Sequence, residues 1–586
     1  YPIMKNIKQV FGLLSTLICL ISCTDFLDLS PVNKLSPGDF FKSETDLELY
    51  ANSFYQTMLP GGLTVVNRDE MGDFTSKNSS PTFIAGAYSA VNEGKWNWNN
   101  IRNLNYFIAK ASSSPVEETR KRHYIGVARL FRAKEYFDKV VTYGDVPWYS
   151  EPIDPDDEDQ LMRPRDPRAL VMDSIMADLD YAVANLHDVK DESATTITKQ
   201  VALGLKSRIC LFEGTYRKYH HELGLEESSE HFLEEAARAA KQVMDSGKYR
   251  LYSTGHPDTD YRTLFISEKP VSEEILFAVE YNNALRRWHN ITWKYNSATY
   301  GARWGLNKQF VNTYLMKDGT RFTDRPDYDR IPFVDEMRDR DPRLSQTIRS
   351  LGYKRSDGTP APPNFGYTFT GYHILKFSLD DKRLDGVGES YNSVTLLRYG
   401  EILLNYAESM AELGKFDEST WQFTIAPLRE RAGVSPEIPD SADPYMQEVY
   451  FPEIHDKYLL EIRRERGIEL CYEGLRYRDL LRWHKGELLE MPWKGIYVPA
   501  MDTPMDLDGN GTPDVAFVRK APTKKTPGVI YYVIDGTSAV LSEGDKGHVL
   551  WRNEEKRVFS EKKYLYPISE EDLVLNPNLK QNPGWE

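Results

Sequence analysis

The chain has 586 residues, 73 basic against 88 acidic side chains and a formal charge of −15. Its 40% hydrophobic and 27% charged residues exclude a disordered chain, and the length allows a large core, several units of roughly 150 residues each. The acidic balance and the lack of a long Lys/Arg run argue against nucleic acid as a partner. The 36 tyrosines and 11 tryptophans, which join an apolar face to a polar handle, suit a recognition surface.

Taken from the N-terminus, Lys5 and Lys8 precede an apolar stretch from Val10 to Ile21. That stretch is short for a bilayer span, and residues 1–22 read as a secretory signal. Tyr1-Pro2-Ile3 precede the expected start at Met4. Leu20-Ile21-Ser22-Cys23 resembles a bacterial lipobox, in which Cys23 is lipidated and becomes the mature first residue. The expectation is a protein anchored to a membrane rather than inserted in it. After Cys19 and Cys23 only Cys210 and Cys471 remain, and no Cys/His cluster has zinc spacing.

Amphipathic helix is the dominant local pattern, with candidates at 120–143, 168–187, 199–219, 230–247, 396–414, 417–433 and 457–485. In Ile402-Leu403-Tyr406-Ala407-Met410 the apolar residues recur at offsets of three and four and form one stripe. Short connections and small residues (Ala202, Gly204, Ala236, Ala240, Ala407) suggest stacked, tetratricopeptide-like hairpins. The expected fold class is mostly α, with helical scaffold at about 40–249 and 396–485. Residues 250–395 and 486–560 are rich in Gly, Pro, Tyr and Trp and read as irregular, loop-rich insertions with a few short β-hairpins.

Several blocks carry a family resemblance. They are Cys23-Thr24-Asp25-Phe26-Leu27-Asp28, Arg129-Leu130-Phe131-Arg132-Ala133, Tyr143-Gly144-Asp145-Val146-Pro147, Arg398-Tyr399-Gly400-Glu401, Glu465-Arg466-Gly467-Ile468-Glu469 and Gln581-Asn582-Pro583-Gly584-Trp585. In this order they resemble the SusD/RagB family. The resemblance implies a single SusD-like domain over 23–586 in a cell-surface, outer-membrane lipoprotein of Bacteroidetes type. It implies capture of oligosaccharide or polysaccharide and delivery to a SusC-like TonB-dependent transporter. Two alternatives are a peptide-capturing member of the family and a non-capturing scaffold or lid on the transporter. Read as residues, Arg476, Asp479, Arg482 and Trp483 are expected to form ion pairs that fix packing, not an active site. Tyr143 to Pro147 reads as a helix stop.

Sugar recognition needs flat apolar faces together with carboxylate, amide or guanidinium groups. One window supplies Asp69, Asp73, Trp96 and Asn99; a second supplies Trp288, Trp293, Tyr295, Tyr300, Arg303 and Trp304. All of these except Tyr300 are the candidate ligand-binding residues; the competing reading is that the aromatics bolt loops onto the scaffold, with Trp98 as a core residue.

The run Asp506-Leu507-Asp508-Gly509-Asn510-Gly511-Thr512-Pro513-Asp514 resembles the first part of an EF-hand loop, so Asp506, Asp508, Asn510, Thr512 and Asp514 are candidate ligands for a structural Ca2+. Phe517 stands where that motif has its bidentate glutamate. The sequence contains no GxSxG, no HExxH and no phosphate-binding Gly-rich loop with its lysine; His220-His221-Glu222 lacks the second histidine. No catalytic residue and no catalytic cofactor is expected.

Overall fold

The scaffold begins at helix α1, Glu44–Met58, where Leu47, Ala51, Phe54 and Met58 recur at offsets of four and three and so share a buried face. Ser43 starts it with a capping box: its hydroxyl accepts from the Asp46 N–H, and the Asp46 carboxylate accepts from the Ser43 N–H. The computed structural model describes residues 40–586 except Glu93, Lys95, Ala298 and Tyr300. The expected signal, Cys23 and the Tyr300 side chain therefore lie outside the described residues.

The long helices follow as α2 (Asn99–Ser112), α3 (Glu118–Tyr143), α4 (Arg168–Asn185), α5 (Lys199–Tyr219), α6 (Ser229–Asp245) and α7 (Tyr399–Glu412). Helices α3 and α4 pack on each other, as do α5 and α6, and α6 packs on α7. Helix α4 also packs on α5, so the succession of 168–187, 199–219 and 230–247 stacks as their short connections suggest, whereas α3–α4 and α6–α7 join segments further apart in the chain. At Gly204 of α5 an added Cβ would lie 2.6 Å from Leu397 Cδ2, so a side chain there would push the helix off the neighbouring strand. Helix α3 ends at Tyr143, as its stop signal indicates.

Two expected helices are broken. Residues 417–433 form α8 (Glu418–Phe423) and α9 (Ile425–Arg431), with Thr424 out of helical geometry. Pro427 is the reason: it has no N–H to donate, and its ring clashes with the carbonyl four residues back. Residues 457–485 form α10 (Lys457–Glu469) and α11 (Arg476–Arg482). Gly474 separates them at φ +78, with the Val65 carbonyl 2.6 Å from where a Cβ would sit. Helices α1 and α2, absent from the expected set, complete the scaffold.

The strands are few and short. Strand β1 (Thr75–Ser76) pairs with β3 (Gly305–Leu306), and β2 (Ile275–Val279) pairs with β4 (Val394–Arg398), both antiparallel. Strands β5 (Lys494–Val498), β9 (Gly547–Trp551) and β8 (Ala539–Leu541) make a three-stranded sheet, and β6 (Val515–Val518) runs parallel to β7 (Ile530–Val533). Of these pairs β8–β9 is a local hairpin and β6–β7 closes within one loop region; the others tie distant segments together. The loop-rich regions consequently enclose a hydrophobic core of their own, including Phe310, Tyr314, Tyr372, Phe377, Ile496, Phe517 and Val549.

A buried ion network joins this core to the scaffold. Arg398, at the end of β4, donates to Glu274 at 2.8 Å and Glu469 at 2.7 Å, and reaches Glu473 through Nε at 2.9 Å. Arg343 reaches Asp341, Glu465 and Glu469, and Lys376 donates to Glu473 at 2.7 Å. The neighbouring arginines hold the Glu469 carboxylate well below the usual carboxylate range, against the opposing effect of its burial. The charged residues of the Arg398 and Glu465–Glu469 blocks thus act in the interior. No helix of the described residues is long and apolar enough to cross a membrane.

Candidate ligand-binding surface

The segment between β2 and β3 carries the second aromatic window on the loop-rich side. It opens with a tight turn in which Asn282 and Arg287 exchange backbone hydrogen bonds at 2.9 and 3.0 Å. Arg286 sits at φ +52 on that turn, Leu285 at its tip is 70% exposed, and half-buried Trp288 donates its indole N–H to Asn283 Oδ1 at 3.0 Å. Buried His289 anchors the base, facing the Asn392 carbonyl at 3.0 Å; burial pushes its pKa down to about 4, so the ring is neutral.

A short helix, Ile291–Asn296, follows. Ile291, Thr292, Tyr295 and Asn296 turn inward at helical spacing, which leaves Trp293 and Lys294 half-buried on the outer side. Lys294 lies 5.2 Å over the Trp304 ring and 3.6 Å from Glu70, whose other carboxylate oxygen meets Lys77 at 3.7 Å. Next to this, the Arg303 guanidinium lies 4.1 Å over Phe369, and Phe369 stacks on Trp551 with centroids 3.9 Å apart and planes 9° from parallel. The Trp551 N–H donates to the Lys77 carbonyl at 2.9 Å, closing an arc built from four chain segments. Arg303 and Arg552 both hold left-handed backbone, at φ +52 and +46, where a non-glycine residue is strained.

The first sequence window divides. Its 69–77 half lies against 293–306 through β1–β3 and the Glu70–Lys294 pair. Its tryptophan half lies on the scaffold: Trp96 packs edge-on against Trp98 at 5.3 Å and Tyr143 at 5.0 Å, and Trp98 carries the Lys139 ammonium 4.4 Å over its ring. Asn99, exposed, is the first residue of α2.

Four candidate ligand residues are interior and must be corrected. Asp69 is fully buried, its carboxylate accepting from the N–H groups of Gly474 and Arg476; burial pushes its pKa up to about 7. Asp73 is held by Arg476. Trp304 is 2% exposed and stacked on Tyr472, and Tyr295 is 1% exposed with its hydroxyl in the core. Trp288, Trp293 and Arg303 keep accessible groups. Trp551, Lys77 and Lys294 were not singled out in the sequence. The aromatic excess was the only signal for Trp551, because its partner Phe369 lies far away in the chain.

In the 506–514 loop, one carboxylate oxygen from each of Asp506, Asp508 and Asp514 lies within 4.8 Å of the others. Asp506 accepts from the N–H groups of Asp508, Gly509 and Gly511, while Asn510 Oδ1 accepts from the Thr512 N–H at 2.6 Å; together these bonds wrap the turn. Asp514 is pushed up to about 6, by burial first and then by the two neighbouring carboxylates. This donor set fits a hard cation in part: three carboxylates converge, and Asn510, backbone or water would have to supply the rest of the six to eight oxygens calcium takes. Phe517 cannot contribute, since β6 carries it into the core.

Geometrically this is a helical-hairpin scaffold that carries a loop-built aromatic and ionic surface, an arrangement suited to binding. The chain belongs to the SusD family, whose model matches residues 273–585. A SusD-like protein of Formosa agariphila is 24% identical over 525 residues, covering 84% of this chain and 94% of its own. Among solved structures, a SusD-like carbohydrate-binding protein of Bacteroides fragilis aligns with a TM-score of 0.67 at 21% identity, over 92% of this chain and 100% of its own. A laminarin-binding SusD-like protein aligns with a TM-score of 0.59 at 17% identity, over 93% of this chain and 100% of its own. At these identities the likeness establishes the mostly helical fold.

Proposed function

We propose that this protein captures an oligosaccharide or polysaccharide at the cell surface, without cleaving it, and hands it to a SusC-like TonB-dependent transporter while a lipid on Cys23 tethers it to the outer membrane. Family membership and the carbohydrate-binding and laminarin-binding relatives support this reading. The observation that carries it is the Arg303–Phe369–Trp551 stack, joined through Lys77 and Glu70 to Lys294, which shares its short helix with Trp293. Indole faces suit the C–H side of a pyranose, and the charged groups suit its hydroxyls. Repeated weak contacts along a polymer would raise the overall affinity. Calorimetry of residues 24–586 against polysaccharides, oligosaccharides and peptides tests the reading, with Trp288→Ala and Trp551→Ala as controls. Saturable binding to one glycan, lost in a folded tryptophan variant, supports it. Binding to peptides alone would overturn the glycan assignment, and no binding at all would favour the lid or scaffold reading.

The 506–514 loop is proposed to take calcium as a staple holding the loop beside β6, on the strength of the three converging carboxylates.

A further inference from the structure

The sequence places His220-His221-Glu222 at the end of α5 without the second histidine of a helical zinc motif. The fold brings one from elsewhere. His484, just beyond α11, packs edge-on against His220 with ring centroids 4.6 Å apart. One ligand atom from each of His220, Glu222 and His484 lies within 4.8 Å of the others. Their rings are firmly held: His220 stacks on Tyr216 at 3.7 Å and His484 on Tyr564 at 4.4 Å. His484 also keeps left-handed backbone at φ +55.

The hydrogen bonding of His220 asks for a cation. Its Nε2 faces the Leu481 carbonyl at 2.8 Å, and a carbonyl only accepts, so Nε2 carries the proton. In a neutral ring Nδ1 then presents a lone pair, yet the atom facing it at 2.7 Å is a Glu222 carboxylate oxygen, another acceptor. A second proton on Nδ1 would satisfy the pair as a charge-assisted hydrogen bond, and a metal ion held by both would satisfy it as a ligand pair. The Leu481 carbonyl would then be the contact that fixes the ligating tautomer.

We propose that His220, Glu222 and His484 form a zinc site that staples the end of α5 to the turn after α11. Glu561, whose carboxylate faces His484 Nε2 at 3.1 Å, or a water would complete four-coordination. Two imidazoles and a carboxylate suit zinc, whereas the all-oxygen 506–514 loop suits a harder cation. Binding needs the His220–Glu222 gap to widen to about 3.3 Å, as bonds of about 2.0–2.1 Å in a tetrahedron require. The Glu222 side chain is 56% exposed and can swing to allow it.

The test uses tag-free, chelator-treated protein, titrated with Zn2+ by calorimetry and followed by thermal unfolding. The expected result is one zinc per chain and a rise in Tm of about 2 °C at 100 times the Kd. Co2+ should give the visible absorption of a tetrahedral nitrogen-containing site. His484→Gln and, because it lies at the surface, Glu222→Gln should each weaken zinc at least about tenfold; Asp508→Asn should leave it unchanged. A failure of wild type to bind zinc would overturn the proposal. So would wild-type affinity in the folded Glu222→Gln variant, or loss of binding in Asp508→Asn.

Discussion

Arg476 grips Asp73 through two parallel hydrogen bonds, Nε to Oδ1 at 2.7 Å and Nη2 to Oδ2 at 2.8 Å, across 403 residues of sequence. Both side chains are 5% exposed or less. The first turn of α11 is thereby locked to the segment that leads into β1. Asp69 reinforces the joint by accepting from the N–H groups of Gly474 and Arg476. Two carboxylates that the sequence offers as ligand contacts instead join the segment leading into β1 to the scaffold.

Breaking that grip should cost stability. Arg476→Met leaves the Asp73 carboxylate buried without its partner, and the expected loss is about 3–5 kcal/mol. Guanidinium-induced unfolding of the single variants and of Arg476→Met/Asp73→Leu checks it: the double variant should recover part of the loss.

Asp69 supplies a pH signature. Its folded-state pKa of about 7 lies above the unfolded value near 3.8. The protonated form is therefore favoured by folding: this contribution is full below the unfolded value and is lost as pH rises through about 7. Asp69→Asn removes the dependence. The Tm of the variant relative to wild type should rise between pH 5 and pH 8.

The tryptophans should separate into two groups. Trp304→Ala empties a stacked interior site and should cost about 3–5 kcal/mol of stability. Trp288→Ala and Trp293→Ala act on half-buried rings; they should leave Tm nearly unchanged and weaken glycan about tenfold each, ~1.4 kcal/mol. Parallel unfolding and calorimetry distinguish the two outcomes.

Calcium should raise Tm at pH 7 and raise it much less at pH 5. Asp514, with a pKa of about 6, binds a proton in competition with the metal as pH falls. Asp508→Asn should abolish the shift at both pH values, and a chelator should reverse it in wild type.

Much of the scaffold was legible in the residues. Apolar spacing of three and four residues locates α3 to α7, because a helix buries one stripe whatever it later packs on. Pro427 and Gly474, read for their backbone chemistry, would have marked the two helix breaks. The loop-rich regions were legible only as a texture. Their core depends on pairs such as β1–β3 and on Phe369 meeting Trp551, and no local pattern encodes which distant strand or ring a residue will meet.

The sequence by itself determined the class of fold, the blocks that mark the family and the residue types from which a binding surface is built. Only the tertiary structure decided which of them face outward. Asp73 and Glu70 are three residues apart and chemically alike, yet Asp73 is consumed by Arg476 in the interior while Glu70 stands between Lys77 and Lys294 at the surface. Burial follows from the packing of elements far apart in the chain, and a carboxylate becomes structural or available according to which cation that packing delivers to it.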